Sequence, residues 1–230
     1  MSVQLTWLGH ASWLLELEGK RIVLDPFLEN SPTATSKPEQ IQADYVLVSH
    51  GHFDHVQDAA AIANRCSATV VTNYEIALWL QKTQGVQNAV GMNIGGGIEL
   101  PFGRLQMTPA IHSSSLPDGS NGGNPCGFLI RSSSGFTIYF ACDTALFSDM
   151  QLIGRKGIDV AVVPIGDLFT MGPDDALEAV KYISPKTVLP SHFDTWPPIA
   201  QNAAAWAARV SQETSSRGLV PRVGQPILLK

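Results

Sequence analysis

The chain reads as a layered α/β protein, two β-sheets packed together with helices outside. Three observations predict this. Short apolar runs, many rich in Val, Ile and Leu, recur through both halves of the 230 residues. Segments with helical apolar spacing follow the middle of each half. No linker or composition break interrupts the sequence, so residues 1–230 are expected to form a single domain.

Taken in order, "VQLTWLG" (3–9) and "SWLLELE" (12–18) read as strands, and the turn "EGK" leads into a third, "RIVLD" (21–25). The Pro/Ser/Thr-rich stretch 29–40 is a loop and a candidate site border. "DYVLVSH" (44–50) is a short continuous apolar run, as a strand buried on both faces should be. "VQDAAAIANR" (56–65) and "NYEIALWLQKTQG" (73–85) have helical spacing, the second with Asn73 as N-cap and Gly85 past its end. Strands are expected at 104–112, 126–132, 136–143 and 160–166. In "GPDDALEAVKYISP" (172–185), Pro173 opens a helix and Asp174 and Asp175 fill its first turn. Ala176, Leu177, Val180 and Ile183 form its apolar face and Pro185 closes it. "TVLPSH" (187–192) is a strand, 201–214 a helix, and the tail a last strand or two.

Composition narrows the function. The net charge is −5 and no Lys/Arg cluster occurs, so no nucleic-acid partner is expected and a small-molecule substrate is the simpler reading. No apolar run reaches the roughly 18 residues of a membrane span, and the first ten residues lack the pattern of a secretory signal. Cys66, Cys126 and Cys142 are odd in number and show no CxxC spacing, which suggests reduced thiols in a cytoplasmic protein. Nothing in the chain indicates an oligomeric state.

The polar residues are placed unevenly. Strands deliver His50, His112, Asp143, Asp167 and His192 at their carboxyl ends, where α/β sheets tend to bind ligands. "SHGHFDH" adds His52, Asp54 and His55, so five of the six histidines fall in these places and a shared metal is implied. Residues i and i+2 of an extended segment project to one side, so His50 and His52 can grip one ion. His112 would complete that set, Asp54, His55 and His192 would hold a second ion, and Asp143 would bridge the two. Imidazole and carboxylate donors without thiolate suit two divalent ions, Zn²⁺ or Mn²⁺, with Fe or Ni also compatible.

"SHGHFDH" (49–55), followed by His112, Asp143 and His192, resembles the HxHxDH signature and later ligands of the metallo-β-lactamase superfamily. The resemblance spans essentially the whole chain and implies an αββα sandwich. Residues 7–27, 164–176 and 189–197 are similar to uncharacterised metal-dependent hydrolases related to L-ascorbate-6-phosphate lactonase and to N-acyl-phosphatidylethanolamine phospholipase D. Asp167 departs from the glycine-rich "PIGG" expected of that branch.

These features predict a hydrolase in which two ions share and activate a water. Asp54 would orient it, and His10, in "LGHAS", would bind substrate or protonate a leaving group. Asp25, which matches the first motif aspartate of the family, and Thr144 are expected to hydrogen-bond metal ligands. Asp167, Asp194 and Trp196 are candidate substrate contacts, and the glycine-rich loop 113–125 reads as a lid. Trp7, Trp13, Trp79 and Trp206 are expected in the core. A small ester or lactone, with or without a phosphate group, is the leading substrate class. The alternatives are phosphodiester cleavage in a nucleotide, oligonucleotide or phospholipid, and a metal-binding or redox protein without hydrolysis.

Overall fold

The computed structural model describes residues 3–229. The first half contains β1 (Gln4–Gly9), β2 (Ser12–Leu17), β3 (Lys20–Leu24), β4 (Tyr45–Leu47), α1 (Phe53–Val56), α2 (Ala59–Cys66), β5 (Thr69–Asn73), α3 (Tyr74–Gln84) and β6 (Ala89–Met92). The second contains β7 (Gly97–Leu100), β8 (Gly103–Pro109), β9 (Cys126–Ser132), β10 (Thr137–Phe140), α4 (Met150–Gly154), β11 (Val160–Pro164), α5 (Pro173–Ile183), β12 (Thr187–Ser191), α6 (Ala203–Glu213), β13 (Arg217–Gly218) and β14 (Pro226–Leu228). They build two seven-stranded mixed sheets, β14-β1-β2-β3-β4-β5-β6 and β13-β12-β11-β10-β9-β8-β7. Among the described residues, no helix is long and apolar enough to cross a membrane.

Strand alternation explains the layering. Ile22, Leu24, Leu47 and Val71 point into the core shared with Met107, Phe128, Ile130, Ile138 and Val162 of the second sheet. Their neighbours Val23, Val46, Val48 and Val70 point the other way, onto Ile62 of α2 and Ile76 and Leu80 of α3. Helices α5 and α6 cover the second sheet through Leu177, Val180, Trp206 and Val210. The first sheet and the second are thus each closed by helices on their outer faces, the expected αββα arrangement.

Three strands escape the sequence pattern. β6 and β7 are edge strands carrying Gly91 and Gly97 with partly exposed faces, so neither has an apolar run to announce it. β5 runs without punctuation into α3, because Asn73 ends the strand and caps the helix, its side chain accepting from the Ile76 amide at 2.9 Å. The expected helix 56–65 begins only at Ala59 as α2, after the separate short α1 that ends at Val56. Asp58 lies at the break, where its carboxylate accepts the Leu28 and Glu29 amides at 2.6 and 3.1 Å.

The pairing gives the site its location. β1, β3, β4 and β5 point one way in the first sheet, and β8, β10, β11 and β12 share one direction in the second. His10, Asp25 and His50 follow β1, β3 and β4; His112, Asp143 and His192 follow β8, β10 and β12.

Candidate metal centre

The chain leaves these strands through left-handed backbone at His10 (φ 51°), Asp25 (φ 43°), Cys142 (φ 55°) and His192 (φ 54°). Such non-glycine conformations cost of order 1–3 kcal/mol each and gather where a side chain must be aimed. Here they turn polar groups inward at the point where the apolar core ends.

The aimed groups converge on Asp143. Its Oδ2 lies 3.0 Å from His192 Nε2, 3.3 Å from His55 Nε2, 3.7 Å from His112 Nε2 and 4.0 Å from His50 Nε2. On one side, His50, His52 and His112 bring one ring nitrogen each within 4.8 Å of one another. On the other, a carboxylate oxygen of Asp54 and one ring nitrogen each of His55, His192 and His10 lie equally close to one another. The structure thus brings the candidate donors together in two groups around Asp143, with His10 in the second, and Asp25 groups with His50 and His55 behind them.

Hydrogen bonds from behind orient the rings. The buried Asp25 carboxylate accepts the Ser49 amide (2.7 Å) and hydroxyl (2.6 Å) and lies 2.9 Å from His55 Nδ1. The Ser49 hydroxyl in turn lies 2.9 Å from His50 Nδ1. Each ring thereby turns its Nε2 toward the centre. Ser113 Oγ lies 3.2 Å from His52 Nε2. Thr144 touches no ligand directly. Its hydroxyl accepts the Ile111 amide at 2.9 Å and so ties the loop carrying His112 to the end of β10.

His10 is fully buried and does not line the cavity above the centre. Its Nε2 lies 3.0 Å from Asp54 Oδ2 and its Nδ1 2.7 Å from Thr195 Oγ1. Burial, and then the nearby His192, push its pKa down to about 4, so the ring is neutral at pH 7. A neutral ring accepting from Thr195 donates its Nε2–H to Asp54.

The donors suit divalent cations. Burial lowers the pKa of His50, His52 and His112, leaving neutral imidazoles, with His50 Nε2 and His52 Nδ1 2.9 Å apart. Burial pulls His55 the same way, but the Asp143 and Asp25 carboxylates outweigh it and raise that ring well above its ordinary value. The surroundings of His55 thus demand positive charge. Burial opposes ionisation of Asp143 and Asp54, yet His192 and His55 hold Asp143 well below the carboxylate range, and His10 and His55 bring Asp54 to about 2. His55 Nε2 and Asp143 Oδ1 are buried without any hydrogen-bond partner, which a bound cation would supply.

Above the centre opens a cavity of about 910 Å³. His52, Asp54, His112, Asp143 and His192 form its floor, and Phe53, Leu116, Leu168, Phe169 and Trp196 its apolar walls. Trp196 lines the cavity and packs 5.1 Å from His10 between ring centroids. Asp167 and Asp194 are not among the lining residues. The Asp194 carboxylate accepts the Gln201 amide at 2.9 Å, and Asp167 bends toward Gly172 within the turn after β11. Loop 113–125 is pinned, with Asn73 donating to the Gly122 and Asn124 carbonyls and Trp79, only partly buried, to Asp118 at 2.6 Å. It contributes Ser113, Ser115, Leu116 and Pro117 to the cavity wall. Ser49 and Thr195 were not legible as site residues, since one hydroxyl beside a ligand resembles any turn serine or threonine.

A model of the beta-lactamase superfamily domain matches residues 4–192. A UPF0173 metal-dependent hydrolase from Pelotomaculum thermopropionicum is 47% identical over 232 residues, covering 99% of this chain and 100% of that one. Another, from Thermus thermophilus, is 46% identical over 211 residues, 92% of each chain. Among solved structures, Igni18, a metallo hydrolase from Ignicoccus hospitalis, aligns over 100% of this chain and 99% of its own with a TM-score of 0.90 and 32% identity. An isothiocyanate hydrolase from Delia radicum gut bacteria shares the fold, with a TM-score of 0.76, 21% identity and coverage of 97% and 98%. Sequence, fold and donor set agree that this chain belongs to the β-lactamase superfamily, as a UPF0173 metal-dependent hydrolase.

Proposed function

We propose that the chain acts as one domain holding two divalent cations, Zn²⁺ or Mn²⁺, and hydrolyses a small ester or lactone. His50, His52 and His112 would hold one ion, Asp54, His55 and His192 the other, with Asp143 between them. When bound, such ions bring the pKa of a water close to neutrality and polarise the scissile carbonyl.

The protein's own groups do the rest. Asp54 lines the cavity floor and would orient the attacking water, while its other face is held by His10. His10 acts through Asp54, since its ring is closed off from the cavity. Asp25 and Ser49 fix the tautomers of His55 and His50. Phe53 and Trp196 line the cavity and would hold the substrate over the floor.

One observation carries the choice of an acyl substrate. No lysine or arginine is among the residues lining the cavity, whose only charged side chains, Asp54 and Asp143, belong to the floor. Ions on the floor would balance a scissile phosphodiester as well, so the observation weighs against further charged groups beyond the reacting atoms, as in a nucleotide or oligonucleotide. An uncharged ester or lactone asks nothing of the walls. The test is hydrolysis of a lactone panel beside an activated phosphodiester by protein reconstituted with Mn²⁺ or Zn²⁺. Faster phosphodiester turnover would reverse the reading.

A further inference from the structure

The turn after β11 presents apolar side chains to solvent in a way the fold does not require. Asp167 (φ 63°) and Leu168 (φ 43°) are consecutive left-handed residues, and neither is glycine. Leu168 is 65% exposed and Phe169 55%. The turn is nevertheless well held. The Asp167 amide donates to the Met171 carbonyl at 3.1 Å, and the Met171 amide to Thr144 at 3.1 Å, directly beside Asp143. A strained turn anchored to the metal centre with an apolar tip in water is destabilising twice over, by backbone conformation and by exposed surface.

Across the cavity stands a second exposed aromatic, Phe53, 52% exposed although it opens α1 inside the histidine motif. Phe27 meets it edge-on at 5.7 Å and Trp196 lies 6.3 Å away. Leu116 and Pro117 complete the wall from the pinned loop. The volume, about 910 Å³, is far more than a minimal ester or unsubstituted lactone needs and lies within the range of drug-sized sites.

From this continuity between apolar walls and metal floor we propose that the substrate carries an extended, uncharged apolar group beside the scissile bond, clasped by Phe53, Trp196, Leu168 and Phe169. The inference rests on the ester or lactone reading above and names its substrate class. Leu168 and Phe169 set the specificity, because they supply the wall that only such a group can use. An anionic or phosphorylated tail is excluded by the same walls, which offer it no cation.

The test uses γ-lactones with unbranched alkyl substituents, from none to hexyl, and the metal-loaded enzyme. Each methylene is expected to raise kcat/KM about twofold to fourfold, the range for partial to full burial of a CH₂. The hexyl-to-unsubstituted ratio should fall about tenfold in Phe169→Ala and further with Leu168→Ala. Independently of turnover, metal-free protein should bind a hexyl-substituted γ-lactam by calorimetry, and Phe169→Ala should weaken that binding about tenfold. Lactones cleaved without dependence on chain length would overturn the inference and leave the lactonase reading standing. Lactam binding that follows the walls, with no lactone cleaved, would support the pocket and overturn the ester or lactone reading instead. Failure of the metal-free protein to bind the lactam would overturn the inference.

Discussion

The Asp25 carboxylate and the His55 imidazole face each other at 2.9 Å, both fully buried, and Asp25 also takes two hydrogen bonds from Ser49. One carboxylate therefore sets the orientation of His55 directly and of His50 through a hydroxyl. Asp25→Ala should weaken metal binding by about 10–100-fold, the usual effect of losing a group that orients a ligand. It should also cost about 3–5 kcal/mol of stability, since a buried partner is left uncompensated. Competition with a fluorescent chelator and thermal unfolding of the metal-free protein measure the two effects. Unchanged metal affinity in a folded Asp25→Ala protein would remove Asp25 from the centre.

The two donor sets make separable predictions. His52→Ala removes one of the three imidazoles of the first set, so metal content should fall from two ions to about one and turnover should be lost with it. Asp54→Ala should weaken the second set and abolish turnover with less effect on the fold, because Asp54 lies at the cavity floor. Metal analysis of the purified variants decides both. Full occupancy in His52→Ala would sink the assignment.

His10 gives a third. Asp54 is held from behind by His10, and His10 by Thr195. His10→Ala should lower kcat about 10–100-fold with little change in KM, and His10→Gln, which keeps a donor near the Nε2 position, should recover part of it. A rise in KM alone would mean that His10 touches substrate after all, against its complete burial.

How far this centre could be read in advance depends on the rarity of its residues. All six histidines of the chain bear on it, and a shortage of histidine elsewhere makes their spacing informative. Their oriented geometry was less visible. Asp25 could be matched to a motif, but Ser49 and Thr195 act through single hydroxyls whose role exists only once β1, β4 and β12 have brought their ends together. Asp167 and Asp194 mislead for a related reason. Both follow a strand and share left-handed backbone (φ 63° and 59°) with His10 and His192. Yet neither lines the cavity and the Asp194 carboxylate accepts the Gln201 amide within its own turn, so neither chain position nor backbone conformation determines direction. The apolar walls were hidden because Phe53, Leu168 and Phe169 look like core residues in any hydropathy pattern.

Close backbone packing supplies a fourth prediction. A Cβ at Gly166 would lie 2.2 Å from the His192 carbonyl oxygen and 3.3 Å from its Nδ1. No side-chain adjustment relieves a clash with backbone, so the β12 end must move. Gly166→Ala should destabilise the fold by about 1–3 kcal/mol and loosen the second metal more than the first. Metal titration that weakens both sites equally would show that the displacement is not local to His192.

The metal-free protein should have an acid-sensitive stability with a definite sign. His10 titrates near 4 in the fold and near 6.5 when unfolded, so between those values the unfolded chain binds a proton that the folded chain refuses. Stability is therefore lost as pH falls through that window, by something on the order of 3 kcal/mol for His10 alone. His50, His52 and His112, also lowered, act in the same direction. His55 is raised and works oppositely. Its contribution is complete below about 6.5 and is lost only as pH climbs toward its folded value, so it adds no slope on the acid side. Asp54, lowered from 3.8 to about 2, contributes a further loss only at still lower pH. Urea midpoints of chelator-treated protein should thus peak near the ordinary histidine pKa and decline on both sides, with His10→Gln flattening the acid limb. Midpoints that rise on acidification would mean that these histidines are charged in the fold, and a cluster already carrying that charge would be a poor host for two cations.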